Sequence, residues 1–225
     1  MTENVSESLS RSLVLVTDYR VPDPARVWPL LQRHRGSLAH LGARHVLVYT
    51  SSVDAGRVLA LMSIRAAQPV TDLLRDEAFM GWFDAVGVDD IPAVFAGALA
   101  ERIELADPQP APPGVVVAAV AEVVDAEALI AHVRATAKDF TAAGIRKILI
   151  FQAFDNPREV FMLQEADDEA GAAQWISQPE FAADWITRAG VGVYPPVFVG
   201  RLQHLMRVAD QPDTQEDQAE GEPIR

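Results

Sequence analysis

Arg201 and Gln203 stand two residues apart in a run, Val197 to Val208, that is otherwise mostly apolar. A guanidinium offers a rigid fork of donors, and an amide both donates and accepts. Two such groups on one face of a strand could orient a carbonyl or a carboxylate, and they are the candidate catalytic pair. The structural alternative is a rim position from which the arginine reaches water along its own stem. Trp175, Trp185 and Tyr194 are candidate ligand-binding residues, since their rings could stack on a flat aromatic molecule. Aromatic residues at helical spacing also build cores, and Phe79, Trp82, Phe83 and Phe181 surround them in sequence. The histidines, His34, His40, His45, His132 and His204, show no short metal-ligand spacing, so no metal site is expected. The chain has no cysteine, which excludes thiolate metal sites, disulfides and a cysteine nucleophile. It also lacks a glycine-rich phosphate loop and a nucleophile elbow.

The formal net charge of the 225 residues is −13, and Lys and Arg are not clustered. Neither nucleic acid nor an anionic membrane surface is a suitable partner for such a chain. The first eleven residues, MTENVSESLSR, lack the basic and apolar regions of a secretory signal. The longest apolar stretch, near Val115 to Val124, is broken by Glu122 and is far short of the roughly 20 residues of a membrane helix. The expected location is the cytoplasm.

The elements that must position these side chains occur twice. The first half reads as a strand at Leu13–Tyr19, a helix opened by Asp23-Pro24 and closed by Gly42, and a hairpin from Arg44 to Ile64. Helical segments ending at Gly87 and a strand from Val94 to Leu105 follow. The second half repeats this order. Asp23, Gly42, Arg44 and Phe79 match Asp125, Gly144, Arg146 and Phe181 at an offset of 102. After one inserted residue the offset is 103, matching Gly87, Pro92, Phe95, Gly97 and Leu99 to Gly190, Pro195, Phe198, Gly200 and Leu202. Such a register marks an internal repeat.

Each unit is β-α-β-β-α-β, the ferredoxin-like pattern, so the fold class is α+β with two tandem units. The boundaries read as a disordered N-terminus (1–11), a first unit (12–106), a proline-rich linker (107–114), a second unit (115–208) and an acidic disordered tail (209–225). On the last strands, Phe95, Gly97, Leu99, Ile103 and Leu105 share one parity with their repeat partners, and this row is assigned to the helices. The opposite row is Val94, Ala96, Ala98 and Ala100 in one unit, and Val197, Val199, Arg201, Gln203 and Leu205 in the other. It is too apolar to be bare, so the two sheets should face each other across a cleft as an intramolecular pseudo-dimer; a further homo-oligomer is compatible with this.

The sequence resembles the dimeric α+β barrel superfamily and, within it, the antibiotic-biosynthesis-monooxygenase-like domains. The match is Phe161-Met162-Leu163-Gln164-Glu165 followed by Trp175-Ile176-Ser177-Gln178-Pro179-Glu180-Phe181. Those domains often have a strand ending in glutamate, then a helix with a histidine, then a Ser-Pro-x-Phe-like segment. The histidine position holds Trp175 here and is near Leu73 in the first unit. The resemblance adds Gln164 and Glu165 to the candidate ligand-binding residues. Two functional readings stay open. One is a small-molecule-binding barrel that acts as a cofactor-independent monooxygenase on an aromatic or polyketide-like substrate, with Arg201 and Gln203 stabilising an enolate-like anion. The other is a non-catalytic structural or ligand-binding member. Haem degradation would call for an asparagine on the first strand, where Thr17 and Ala119 stand, so no cofactor is expected. The polar residues and the motif gather in the second unit, which is where a single site is expected.

Overall fold

Two inward rows of side chains and two outward ones decide the architecture. The computed structural model describes residues 13–40, 42–64, 77–88, 91–108, 111–177, 192–193 and 197–208. The expectations for the N-terminus, the acidic tail, Trp185 and Tyr194 lie outside the described residues. The first unit runs β1 (Leu13–Arg20), a 3-10 turn (Pro24–Arg26), α1 (Val27–Arg33), α2 (Arg35–His40), β2 (Ala43–Ser51), β3 (Arg57–Ile64), α3 (Glu77–Val86) and β4 (Ala93–Glu104). The second runs β5 (Val115–Glu122), α4 (Ala126–Ala135), α5 (Ala137–Ala142), β6 (Ile145–Ala153), β7 (Glu159–Ala166), α6 (Glu169–Ile176), β8 (Gly192–Val193) and β9 (Phe198–Arg207).

Local signals at matched positions do the same work in both units. Asp23 accepts from the Ala25 amide at 3.1 Å and Asp125 from the Glu127 amide at 2.9 Å, each occupying an otherwise unpaired donor at the start of a helical segment. Gly42 and Gly144 take φ of 74° and 77° where the helices end and the hairpins begin, a conformation that costs glycine nothing.

The strands close on themselves in the order β7-β6-β4-β1-β3-β2-β9-β5, with β5 returning to β7 and β8 adding a short pairing to β5. The units therefore meet edge to edge at two seams, β4 with β6 and β9 with β2, as well as face to face. Closure pairs each of these eight strands on both sides. The interior is a core built from strand residues of both units, including Val16, Leu61, Phe95, Leu149, Phe161 and Phe198. The rings of Phe95 and Phe161 lie 5.6 Å apart and those of Phe151 and Phe161 5.9 Å apart. Among the described residues, a packed core stands where a cleft between sheets was expected. Each fully buried Leu or Phe there contributes roughly 1.5–3 kcal/mol. Two further cores lie between the barrel wall and the helices, one in each unit.

The assignment of the last strands to the two faces is corrected by these cores. Phe95, Leu99, Phe198 and Leu202 belong to the barrel interior, whereas Val94, Ala96, Val197 and Val199 face the helices. Further along, Ile103 and Leu105 pack on the second unit's helical core and Met206 and Val208 on the first unit's. The switch comes from a bulge at each seam. Leu99 pairs with Phe151 and Glu101 with Ile150, skipping Ala100; Tyr49 pairs with Leu202 and Val48 with His204, skipping Gln203. One extra residue inverts every side chain beyond it.

Candidate functional site

Thr17, Ala60 and Met62 project from β1 and β3 toward the helices of the first unit, and the space above them is open. It is a cavity of about 270 Å³, also lined by Leu31, His34, Ser37, Leu38, Gly81, Trp82 and Ala85. Alternation along the strands puts these three residues on the outer face while Val16, Leu59 and Leu61 fill the barrel. Leu31 and Leu38 form the buried wall, and His34, Ser37 and Ala85 stand exposed at the mouth. There the His34 and Trp82 rings meet edge to face with centroids 6.3 Å apart.

Polar groups are few in this pocket. The Thr17 side chain is 1% exposed, and its Oγ1 has no hydrogen-bond partner among the described residues. Leaving a buried hydroxyl unpaired costs about 1–3 kcal/mol. Behind the pocket, Tyr19 packs edge-on against Phe83 at 5.7 Å, and its hydroxyl approaches Trp82 without completing a hydrogen bond of ordinary geometry. Burial raises the Tyr19 pKa well above the usual phenol range, so this hydroxyl stays protonated.

The second unit fills the corresponding space with its own side chains. The repeat register matches Leu38 to Phe140, Ala60 to Met162 and Met62 to Gln164, so two of the three positions carry a larger side chain. Trp175 lies there, 6% exposed, with its Nε1 donating to Gln164 Oε1 at 3.2 Å and its ring 5.1 Å from that of Phe140. On its other side Trp175 borders a polar cavity of similar volume beside α6, lined also by Gly144, Asp167, Asp168 and Gln174.

Among the described residues, the candidates singled out in the sequence are not gathered at one place. Gln164 and Glu165 are adjacent on β7 and therefore point to opposite faces. Gln164 meets Trp175 among the helices; Glu165 turns into the barrel, where its carboxylate lies 3.3 Å from Lys147 Nζ. Near it, Tyr49 donates to the Pro113 carbonyl at 3.2 Å, and burial, aided by the Glu165 charge, raises its pKa. Arg201 is exposed on the outer surface, paired with Glu169 at the start of α6, and Gln203 is the exposed bulge residue. Neither faces the barrel interior, where the sheet-to-sheet reading had put them. Among the described candidates, Trp175 and Gln164 lie together. Ala60, Met62 and Leu38 line the pocket without having been candidates in the sequence, and His34 figured there only as a possible metal ligand. Their signal was a volume deficit of the first unit against the second, visible only when the helix-facing positions of the two repeats are compared.

No family model matches the sequence, and no curated protein does. Solved structures do resemble the chain. An anthrone oxidase-like protein shares 14% identity over 92% of this chain and 98% of its own, with a TM-score of 0.63. A mutant chlorite dismutase from Candidatus Nitrospira defluvii shares 12% identity over 91% and 96%, at 0.53. A haem-binding protein from Thermus thermophilus shares 15% over 86% and 92%, at 0.51. The fold is the dimeric α+β barrel. In this α+β barrel both halves come from one chain, so the two sheet–helix spaces that identical halves would make alike are free to differ. Among the described residues they do differ: one is open and the other holds Trp175.

Proposed function

We propose that this α+β barrel binds a small, flat and largely apolar molecule between the sheet and the helices of its first unit. The observation that carries the reading is the cavity of about 270 Å³ lined by Thr17, whose buried hydroxyl has no partner among the described residues. Its volume is at the small end of ligand pockets, which commonly run to roughly 300–1,000 Å³. Its walls, Leu31, Leu38, Ala60 and Met62, reward burial of apolar surface, and Trp82 offers a ring at the mouth.

Haem does not suit this pocket. A porphyrin needs a wide slot and an axial donor inside it, whereas the imidazole that lines this small cavity, His34, is exposed at the entrance.

A catalytic extension of the same reading is oxidation of an aromatic substrate without a cofactor. The fold likeness to an anthrone oxidase-like protein over nearly all of both chains favours it. An anthrone-type substrate has an acidic C–H beside a carbonyl-bearing ring. His34 would accept that proton, the carbanion would take up O2, and reprotonation would give a hydroperoxide. Loss of water then leaves the quinone, with O2 as the oxidant. The apolar wall would keep water from the carbanion.

The test is a panel of anthrones and quinols under air, followed by oxygen consumption and by calorimetric titration. Saturable binding with oxygen uptake that falls at least tenfold in His34→Ala supports the oxygenase; His34 is exposed, so the variant should fold. Saturable binding with no uptake leaves the non-catalytic binder. No binding of any member to the wild type would overturn the proposal.

A further inference from the structure

The repeat offers an internal comparison for the open pocket. In the second unit the space between sheet and helices is occupied by an indole, held by an aromatic neighbour, Phe140, and by one hydrogen bond to a strand side chain, Gln164. The residue at the offset of Trp175 in the first unit is Leu73, a smaller side chain outside the described residues. The matched positions Leu38, Ala60 and Met62 all line the cavity.

The strand partner differs as well. Met62 replaces Gln164 and supplies no strong hydrogen-bonding group, but Thr17 stands on β1 where the second unit has Ala119. Ala60 and Thr17 are paired residues on adjacent antiparallel strands, so the small alanine leaves room beside the hydroxyl. That hydroxyl is 1% exposed at the residue level and unpartnered among the described residues. It is closed off from solvent, and exchange of hydroxyl and methyl about χ1, a move between staggered wells, would turn it toward a guest.

Resting on the reading above, we infer that the first-unit pocket takes a fused-ring aromatic bearing one hydroxyl or carbonyl, anchored by Thr17. The guest lies beside Leu38 and Met62, the positions matched to Phe140 and Gln164, which Trp175 contacts in the second unit. The ring system replaces the indole, and its oxygen replaces the indole N–H as the single polar contact. One molecule binds per chain, because the second unit holds its own aromatic ring in place.

Two probes that differ by one group test this: 2-naphthol and 2-methylnaphthalene, titrated calorimetrically into the full chain. Both should bind the wild type at one per chain. Thr17→Val keeps the shape and removes the hydroxyl. It should weaken 2-naphthol roughly three- to tenfold, the worth of one hydrogen bond, and leave 2-methylnaphthalene unchanged or tighter. Thr17→Ser, which keeps the hydroxyl, should retain the preference for 2-naphthol. Ala60→Met, which gives the first unit the side chain of Met162, should weaken both probes.

The inference is overturned if Thr17→Val lowers both affinities equally, or if the relative preference survives it. In those cases, loss of both probes in Ala60→Met would still leave the pocket as the binding site, so only the anchor falls. If neither probe binds the wild type, the pocket reading and the anchor fall together. Two molecules per chain would contradict the claim that Trp175 fills the second site.

Discussion

Trp175 donates to Gln164 and rests on Phe140, so its removal takes away a buried hydrogen bond and an aromatic contact together. Trp175→Ala should cost roughly 3–5 kcal/mol in reversible urea denaturation, the range for a large aromatic cut from a core. A loss below about 1 kcal/mol would show that the ring is not an integral part of the second unit. Glu159 gives a prediction of a different kind. Burial and the neighbouring Asp155 and Glu122 charges hold its pKa above the usual glutamate range. The folded state then binds this proton more readily than the unfolded chain. Stability from this group is gained as pH falls through the raised pKa, and at neutral pH the carboxylate is unfavourable. Glu159→Gln should therefore raise the melting temperature at pH 7 and bring little gain near pH 4. An equal gain at both would point to packing instead of charge.

At the scale of elements, Gly97 and Gly200 are matched residues in the last strands, next to the two seams. A side chain at Gly97 would collide with the Gln152 carbonyl and the Phe95 ring, and one at Gly200 with the Thr50 carbonyl and the Phe198 ring. The glycines thus let a strand of one unit approach a strand of the other closely. Gly97→Ala and Gly200→Ala should each cost roughly 1–3 kcal/mol through overpacking in urea denaturation. If either is neutral, the close approach does not matter to stability at that seam. The same strands show where the sequence was legible. Element order, the caps at Asp23 and Asp125 and the repeat register could be read because each depends on residues near one another in the chain. The facing of Phe95, Leu202, Arg201 and Gln203 could not. Parity gives two faces but not which is inward, and a bulge at Ala100 or Gln203 leaves no mark in composition.

For the whole molecule, closing two unlike halves into one barrel makes a single packed interior and two independent sheet–helix spaces. The buried ion pair of Arg57 with Asp18, at 2.6 and 2.8 Å, also shows the halves diverging, since Glu159 and Val120 stand at the matched positions. Among the described residues no helix is long and apolar enough to cross a membrane. The open pocket was hidden from a reading of polar residues because it is defined by what is small, Ala60 and Gly81, and by one buried hydroxyl. The methionines offer a direct reading of its role. Met62 lines the first-unit cavity, and Met162 is buried in the second unit's helical core, matched to Ala60. With 13C-methyl methionine labelling and titration of 2-naphthol, the account predicts a saturable ring-current shift of the Met62 methyl and an unchanged Met162 methyl. A shift at Met162 with Met62 unmoved, or equal shifts at both, would contradict a single site in the first unit.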